Sequence, residues 1–213
     1  MADLIISALI ETLYMVTFST FFSLILGFPL GVLLVITEKN GIWEKKTPNR
    51  VLNGIINILR SFPFIILMIL LFPLSRILVG KTIGTTATIV PLSIAAAPFV
   101  ARIIESSLKE VDKGIIECSL AMGASVSEIV FKVLIPESMP SLVLGITTTI
   151  INIIGYTAMA GAIGGGGLGD VAIRYGLYRF QTDVMIVAVI IMVIIVQSIQ
   201  LIGNKLSSTI NKK

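Results

Sequence analysis

The feature that most constrains this fold is a series of five apolar stretches, each long enough to cross a lipid bilayer. They occupy about residues 12–37, 51–75, 82–101, 141–163 and 184–204, and Arg60 is the only charged residue within them. A bilayer core of about 30 Å requires about 20 apolar residues in a helix. Hydrophobic residues make up 55% of the 213 and charged residues only 13%, a composition that disfavours a soluble domain. The sequence therefore predicts an all-α membrane protein with five transmembrane helices in a single domain, residues 1–213.

Basic residues are distributed unevenly between the two sets of loops that these spans define. Cytosolic loops of membrane proteins carry an excess of Lys and Arg. One set of loops and the C-terminal tail hold Lys39, Lys45, Lys46, Arg50, Arg102, Lys109, Lys113, Lys132, Lys205, Lys212 and Lys213, whereas the other holds Arg76, Lys81, Arg174 and Arg179. The larger set predicts that the N-terminus lies outside and the C-terminus in the cytosol.

The chain lacks the residues that would let it bind a catalytic metal or power transport by itself. It has no histidine, one cysteine, no G-x-x-x-x-G-K-S/T phosphate-binding motif, and no acidic residue near the middle of a span. A metal site is disfavoured, and so is an ion-coupled carrier, which usually needs an intramembrane carboxylate. We therefore predict that the chain is not an enzyme, holds no cofactor, and takes its energy from a partner.

Residues 112–137, on the predicted cytosolic side, form an amphipathic segment between two apolar spans. The pattern predicts a short helix, a corner at Gly123, and a second helix that begins with a capping box at Ser125 and Glu128 and ends at Pro136. The apolar residues of the two helices form a ridge, and no other part of the sequence is obviously available to bury it. From the pattern alone, the segment is either an interfacial helix in the lipid headgroups or a docking surface.

The same segment resembles the EAA loop of ABC importer permeases. The residues that match it in spacing are Glu117, Cys118, Ser119, Gly123, Val133, Ile135 and Pro136. Cys118 and Ser119 replace two alanines of the family pattern, so the resemblance depends mainly on Glu117, Gly123 and Pro136. In that family the loop is a coupling helix that docks on a separate ATPase subunit.

The resemblance extends over nearly the whole chain. The stretches TFSTFFSLILGFPLGVLL, LRSFPFIILMILLFPLSR, IAAAPFVARIIESSLKEV and GYTAMAGAIGGGGLGDVAIRYG resemble, in this order, the methionine-importer permeases. This implies a type I ABC importer permease fold and import of D- or L-methionine, or of a closely related amino acid, by alternating access in a bacterial cell membrane. It also implies a homodimer, two ATPase subunits that bind ATP and Mg²⁺, and an extracytoplasmic substrate-binding lipoprotein, with no nucleic-acid partner. A permease for another small solute and a non-transport membrane scaffold remain the alternatives.

The fourth span mixes polar and apolar residues, and three of its side chains form one helical stripe. Asn152, Tyr156 and Met159 follow each other at i, i+4 and i+7. Helix packing and a translocation path are both compatible with this pattern. In the second case, the two copies of the stripe face each other across the dimer axis, and Met159 acts as a flexible gate.

Three further features each allow two interpretations. Arg60 either snorkels to the headgroups or faces the translocation path. Gly27 and Gly31 indicate close helix packing, but Pro29 between them is equally compatible with a kinked helix. The glycine-rich stretch 164–169 contains a formal G-x-G-x-x-G but follows a membrane span, so we expect an outer loop, either flexible or packed near an outer gate, and not a dinucleotide site.

Overall fold

The computed structural model describes residues 2–211, so Lys212 and Lys213 of the predicted cytosolic tail lie outside the described residues. Helices and the loops between them make up this part of the chain. The helices are α1 (Ala2–Thr37), α2 (Lys46–Ser61), α3 (Phe64–Leu70), α4 (Phe72–Val79), α5 (Thr85–Leu108), α6 (Lys113–Ala121), α7 (Val126–Ile129), α8 (Ile135–Glu137), α9 (Met139–Gly161), α10 (Gly167–Val171) and α11 (Thr182–Ile210). Two π-helical segments, Val130–Leu134 and Ala172–Leu177, follow α7 and α10.

Helices α1, α5, α9 and α11 are long and apolar enough to cross a membrane, and α2 with α3 makes a fifth crossing if the bent pair counts as one span. The predicted all-α membrane fold is confirmed. Helix α1 begins ten residues before the predicted first span, and its 36 residues would extend about 54 Å. It therefore exceeds the thickness of the bilayer core. Helices α5 and α11 also extend beyond the predicted spans, to Leu108 and Ile210.

The second apolar stretch, predicted as a span over residues 51–75, is not one continuous helix. Helix α2 ends at Ser61, Phe62 and Pro63 are extended, and α3 leaves at 103° to α2. The physical reason is local. Pro63 disfavours a helical conformation at Phe62, so the bend falls between these helices.

Polar side chains of α2 attach it to its neighbours. The side chain of Asn49 donates to the carbonyl oxygen of Leu34 at 2.8 Å, and Arg102 Nη2 of α5 donates to Asn57 Oδ1 at 2.7 Å. Arg102 Nη1 also pairs with Glu105 at 2.6 Å. Helix α2 is therefore an amphipathic element held at the ends of α1 and α5. Its apolar residues alone resemble part of a span.

Helices α1 and α5 pack closely at the two glycines of α1. A Cβ atom added to Gly27 would lie 2.5 Å from the carbonyl oxygen of Ala97, and one added to Gly31 would lie 2.6 Å from Ile104 Cβ. Helix α1 continues through Pro29 without a break. The Gly27–Gly31 pair is thus a helix-packing motif, in which small residues let two backbones approach.

Candidate functional site: a coupling segment and a polar helix stripe

The first half of the segment 112–137 is a short capped helix with a glycine corner. Asp112 Oδ1 accepts a hydrogen bond from the amide of Gly114 at 2.7 Å, and this caps α6. The helix closes where the amide of Gly123 donates to the carbonyl oxygen of Leu120 at 2.9 Å. Gly123 has a φ of 81°, in the left-handed region that favours glycine. The predicted corner is confirmed.

A capping box begins the second half, as the sequence predicts. The Ser125 amide donates to Glu128 Oε2 at 3.1 Å, and the Glu128 amide donates back to Ser125 Oγ at 3.3 Å. Lys132 Nζ lies 2.9 Å from Glu128 Oε1. The hydrogen bond from Lys132, together with those from Ser125, lowers the pKa of Glu128 from 4.5 to about 2. Glu128 is therefore ionised at physiological pH and holds the start of α7.

Pro136 does not end this second helix, contrary to the prediction. The π-helical segment Val130–Leu134 leads directly into α8, and Pro136 lies in the first turn of α8. The amide of Ser138 donates to the carbonyl oxygen of Leu134 at 3.1 Å, so the chain runs on into α9. A proline is tolerated in the first turn of a helix because no N–H donor is needed there.

The apolar ridge of the second half of the segment is buried within the chain, which the sequence did not reveal. Ile129, Val130 and Leu134 are 0–5% exposed, in one cluster with residues from the ends of α1 and α5 that include Ile36 and Ile104. Burial of this ridge stabilises the segment through the hydrophobic effect. The segment is therefore fixed to the membrane domain and does not hang from it as a free loop.

The opposite side of the segment is exposed. Among the predicted coupling residues, Glu117, Cys118, Gly123 and Pro136 are exposed, Val133 and Ile135 are partly buried against the apolar cluster, and Ser119 is buried. Two large apolar side chains outside the predicted set, Met122 and Phe131, are 82% and 67% exposed. Helix α6 and the glycine corner thus present a rigid, partly apolar surface, the kind of surface that protein interfaces use.

The stripe on α9 is placed as its spacing predicts, and one of its members has a partner that the sequence did not reveal. The ring of Tyr156 stacks on Phe64 of α3, with ring centroids 4.5 Å apart and planes at 7°. Asn152 is partly buried and Met159 is 48% exposed. Within residues 2–211, the side-chain amide group of Asn152 and the hydroxyl group of Tyr156 make no hydrogen bond to protein. The sequence did not identify Phe64 as a partner of Tyr156, because Phe64 is one of many apolar residues in the second span.

The glycine-rich stretch is an ordered loop. Gly164, Gly166 and Gly167 have φ values of 85°, 82° and 79°, which residues with a side chain adopt only with strain. The stretch follows a helix and leads into α10, so it lacks the strand that a dinucleotide-binding turn requires.

Two side chains of α1 hold the start of α10. Glu11 Oε2 accepts from the Gly167 amide at 2.8 Å, and Thr12 Oγ1 accepts from the Leu168 amide at 2.9 Å. These are the free amide groups of a helix N-terminus, where a carboxylate or hydroxyl acceptor is stabilising. The glycine loop is therefore fastened to α1, which favours a packed loop over a flexible one.

Comparison with known proteins defines the class. Residues 23–212 match the model of the family described as the binding-protein-dependent transport system inner membrane component, and the chain belongs to this family. It is thus a multi-pass membrane component of a transport system, a permease subunit and not an enzyme.

Within this family, the chain is similar to proteins named for methionine transport. The chain is 48% identical to the probable D-methionine transport system permease protein MetI of Vibrio cholerae serotype O1, over 96% of this chain and 91% of that protein. It is 48% identical to the methionine import system permease protein MetP of Bacillus subtilis, over 97% and 93%. An inward-facing structure of the MetNI methionine ABC transporter matches with a TM-score of 0.98 and 42% identity, over 100% of this chain and 98% of that chain. An amino acid ABC transporter at 20% identity shares the fold, with a TM-score of 0.79.

Proposed function

We propose that this chain is the permease of an ATP-driven methionine importer. The observation that carries the proposal is the similarity over more than nine-tenths of both chains to transporters and permeases named for methionine. The exposed surface of α6 and the Gly123 corner supports a coupling role, because it is rigid and accessible. The sequence has no G-x-x-x-x-G-K-S/T motif, so in this proposal ATP and Mg²⁺ are bound by the partner ATPase.

In this proposal, two copies of the chain enclose the path, and each docks one ATPase subunit through Glu117, Gly123 and the residues around them. ATP binding closes the ATPase pair and opens the permease outward to a substrate-binding lipoprotein. ATP hydrolysis and release of its products return the permease to the inward-facing state. The polar side chain of Asn152 on α9 supports this arrangement, since it makes no hydrogen bond among the described residues and would be poorly placed against lipid.

Uptake in a strain without its own methionine permease tests the function. Cells that express this chain with its ATPase and binding protein should accumulate radiolabelled methionine, and a hydrolysis-deficient ATPase should abolish the accumulation. Excess unlabelled amino acids and osmolytes identify the substrate by competition. Uptake of another solute in place of methionine supports the alternative permease. Absence of any uptake, with no ATPase co-purifying, supports a membrane scaffold.

Cross-linking tests the dimer and the gate. The variant Met159→Cys/Cys118→Ala should cross-link to its twin in the resting state, and less when ATP is trapped. An intact dimer with normal uptake that cross-links in no state would contradict a gate at this position.

A further inference from the structure

A small cavity lies where the second span bends, between the α2–α3 corner and the helices α5 and α9. Its volume is about 160 Å³, and its lining includes Arg60, Phe62, Phe64, Phe99 and Tyr156. This is well below the roughly 300–1,000 Å³ of pockets for drug-sized ligands. Only a small solute or a part of one fits, and broken helices within the membrane are where transporters commonly bind substrate.

One part of the lining is cationic. Arg60 lies in the last turn of α2 and is exposed, and no carboxylate among residues 2–211 lies within 4 Å of its guanidinium group. By contrast, Arg102 and Lys109 near the same end of the molecule both have carboxylate partners. A guanidinium group is a planar, permanently charged fork that binds a carboxylate through two hydrogen bonds. The cavity is therefore suited to an anionic oxygen pair.

Another part of the lining is aromatic. The stacked rings of Phe64 and Tyr156 lie in the same lining as Phe62 and Phe99. Aromatic rings contact a polarisable thioether or another flexible apolar side chain favourably. The Tyr156 hydroxyl, unpaired among the described residues, supplies a polar group beside this aromatic surface.

The end of α2 offers a place for positive charge. Its C-terminal carbonyl groups, next to Leu59 and Arg60 in the cavity lining, carry the partial negative charge of a helix C-terminus. A zwitterion with an apolar side chain matches this arrangement, with its carboxylate at Arg60, its ammonium group towards the carbonyl groups, and its side chain on the rings.

We propose that this cavity is a substrate site in the permease, in which Arg60 binds the carboxylate of the transported amino acid and the Phe64–Tyr156 pair contacts its side chain. The inference rests on the proposed function and adds a site to it. Of the two interpretations of Arg60, it adopts the one in which the residue faces the translocation path.

Transport by the complete reconstituted complex tests the site. At saturating binding protein, Arg60→Gln should lower the maximal rate of methionine uptake by about tenfold or more, since a hydrogen-bonded charge pair is lost. ATP hydrolysis and association with the ATPase should persist. Arg60→Lys should retain part of the rate, because it keeps the charge but not the fork. The matched control is Arg76→Gln. It removes a cation of α4 that has no carboxylate partner among the described residues and does not line the cavity.

A binding measurement separates substrate contact from a structural role. Saturation-transfer NMR on the permease–ATPase complex without binding protein should show the methionine S-methyl signal severalfold stronger than that of methioninamide, which has no carboxylate. In Arg60→Gln this difference should disappear. Unchanged discrimination and unchanged uptake in Arg60→Gln would overturn the inference alone. A wild-type complex that imports another solute and no methionine would instead contradict the proposed function.

Discussion

At the scale of single residues, Gly123 is required for its backbone and not for its small volume. Its φ is 81°, and a Cβ added there would meet no atom within 4 Å. Gly123→Val should therefore strain the corner by about 1–2 kcal/mol and lower the uptake obtained per ATP hydrolysed. Gly123→Asn is the control, because asparagine tolerates this conformation. Equal coupling in both variants would show that the corner does not transmit motion.

Glu11 is the second residue whose role the structure defines. Its carboxylate caps α10 from α1, 156 positions away in the chain. Glu11→Ala should raise hydrogen exchange at the Gly167 amide by roughly fivefold to thirtyfold, the equivalent of about 1–2 kcal/mol for a lost cap. Asp3→Ala, an exposed acidic residue on the same helix, should leave this exchange unchanged. No change in Glu11→Ala would mean that Thr12 alone holds the loop.

At the scale of elements, the capping box makes the start of α7 sensitive to pH in a defined window. The pKa of Glu128 is lowered to about 2 in the fold from an ordinary 4.5, so the ionised carboxylate stabilises the folded segment. This stabilisation is fully present above pH 4.5 and is lost as pH falls through about 2. The protection of a peptide covering residues 124–134, measured as hydrogen exchange relative to the intrinsic rate at each pH, should therefore fall over this acidic range.

A pair of neighbouring serines tests the same element at neutral pH. Ser125→Ala removes the hydroxyl that accepts from the Glu128 amide, and exchange in that peptide should rise about fivefold, the usual effect of a lost N-cap. Ser127→Ala changes an exposed serine of α7 and should have little effect. Equal exchange in the two variants would show that the apolar cluster, and not the cap, holds α7 in place.

At the scale of the whole molecule, the orientation in the membrane stays a prediction that a single thiol can test. Cys118 is the only cysteine and is exposed. An impermeant maleimide should label it in inverted vesicles and not in intact cells, and bound ATPase should slow the labelling. Lys81→Cys in a Cys118→Ala background is the matched probe for the opposite face and should give the reverse result. Labelling of Cys118 in intact cells would invert the topology.

The sequence by itself determined the class of fold and the local signals within it. Long apolar stretches require helices in a bilayer, whatever their neighbours are. The Gly123 corner and the Ser125–Glu128 capping box depend on interactions within a few residues, so they could be predicted from spacing alone. The α9 stripe was visible for the same reason, because i, i+4 and i+7 positions share a face of any α-helix.

Only the tertiary structure decided which of these features meet. The Phe64–Tyr156 stack joins α3 to α9, and the Glu11 cap joins α1 to α10. The apolar ridge at Ile129 is covered by residues from helices remote in sequence. The bend after Ser61 depends on Pro63 and on the polar contacts of α2, which average hydrophobicity conceals. Such contacts arise from packing between distant segments, and helical periodicity contains no information on which distant face a side chain will reach.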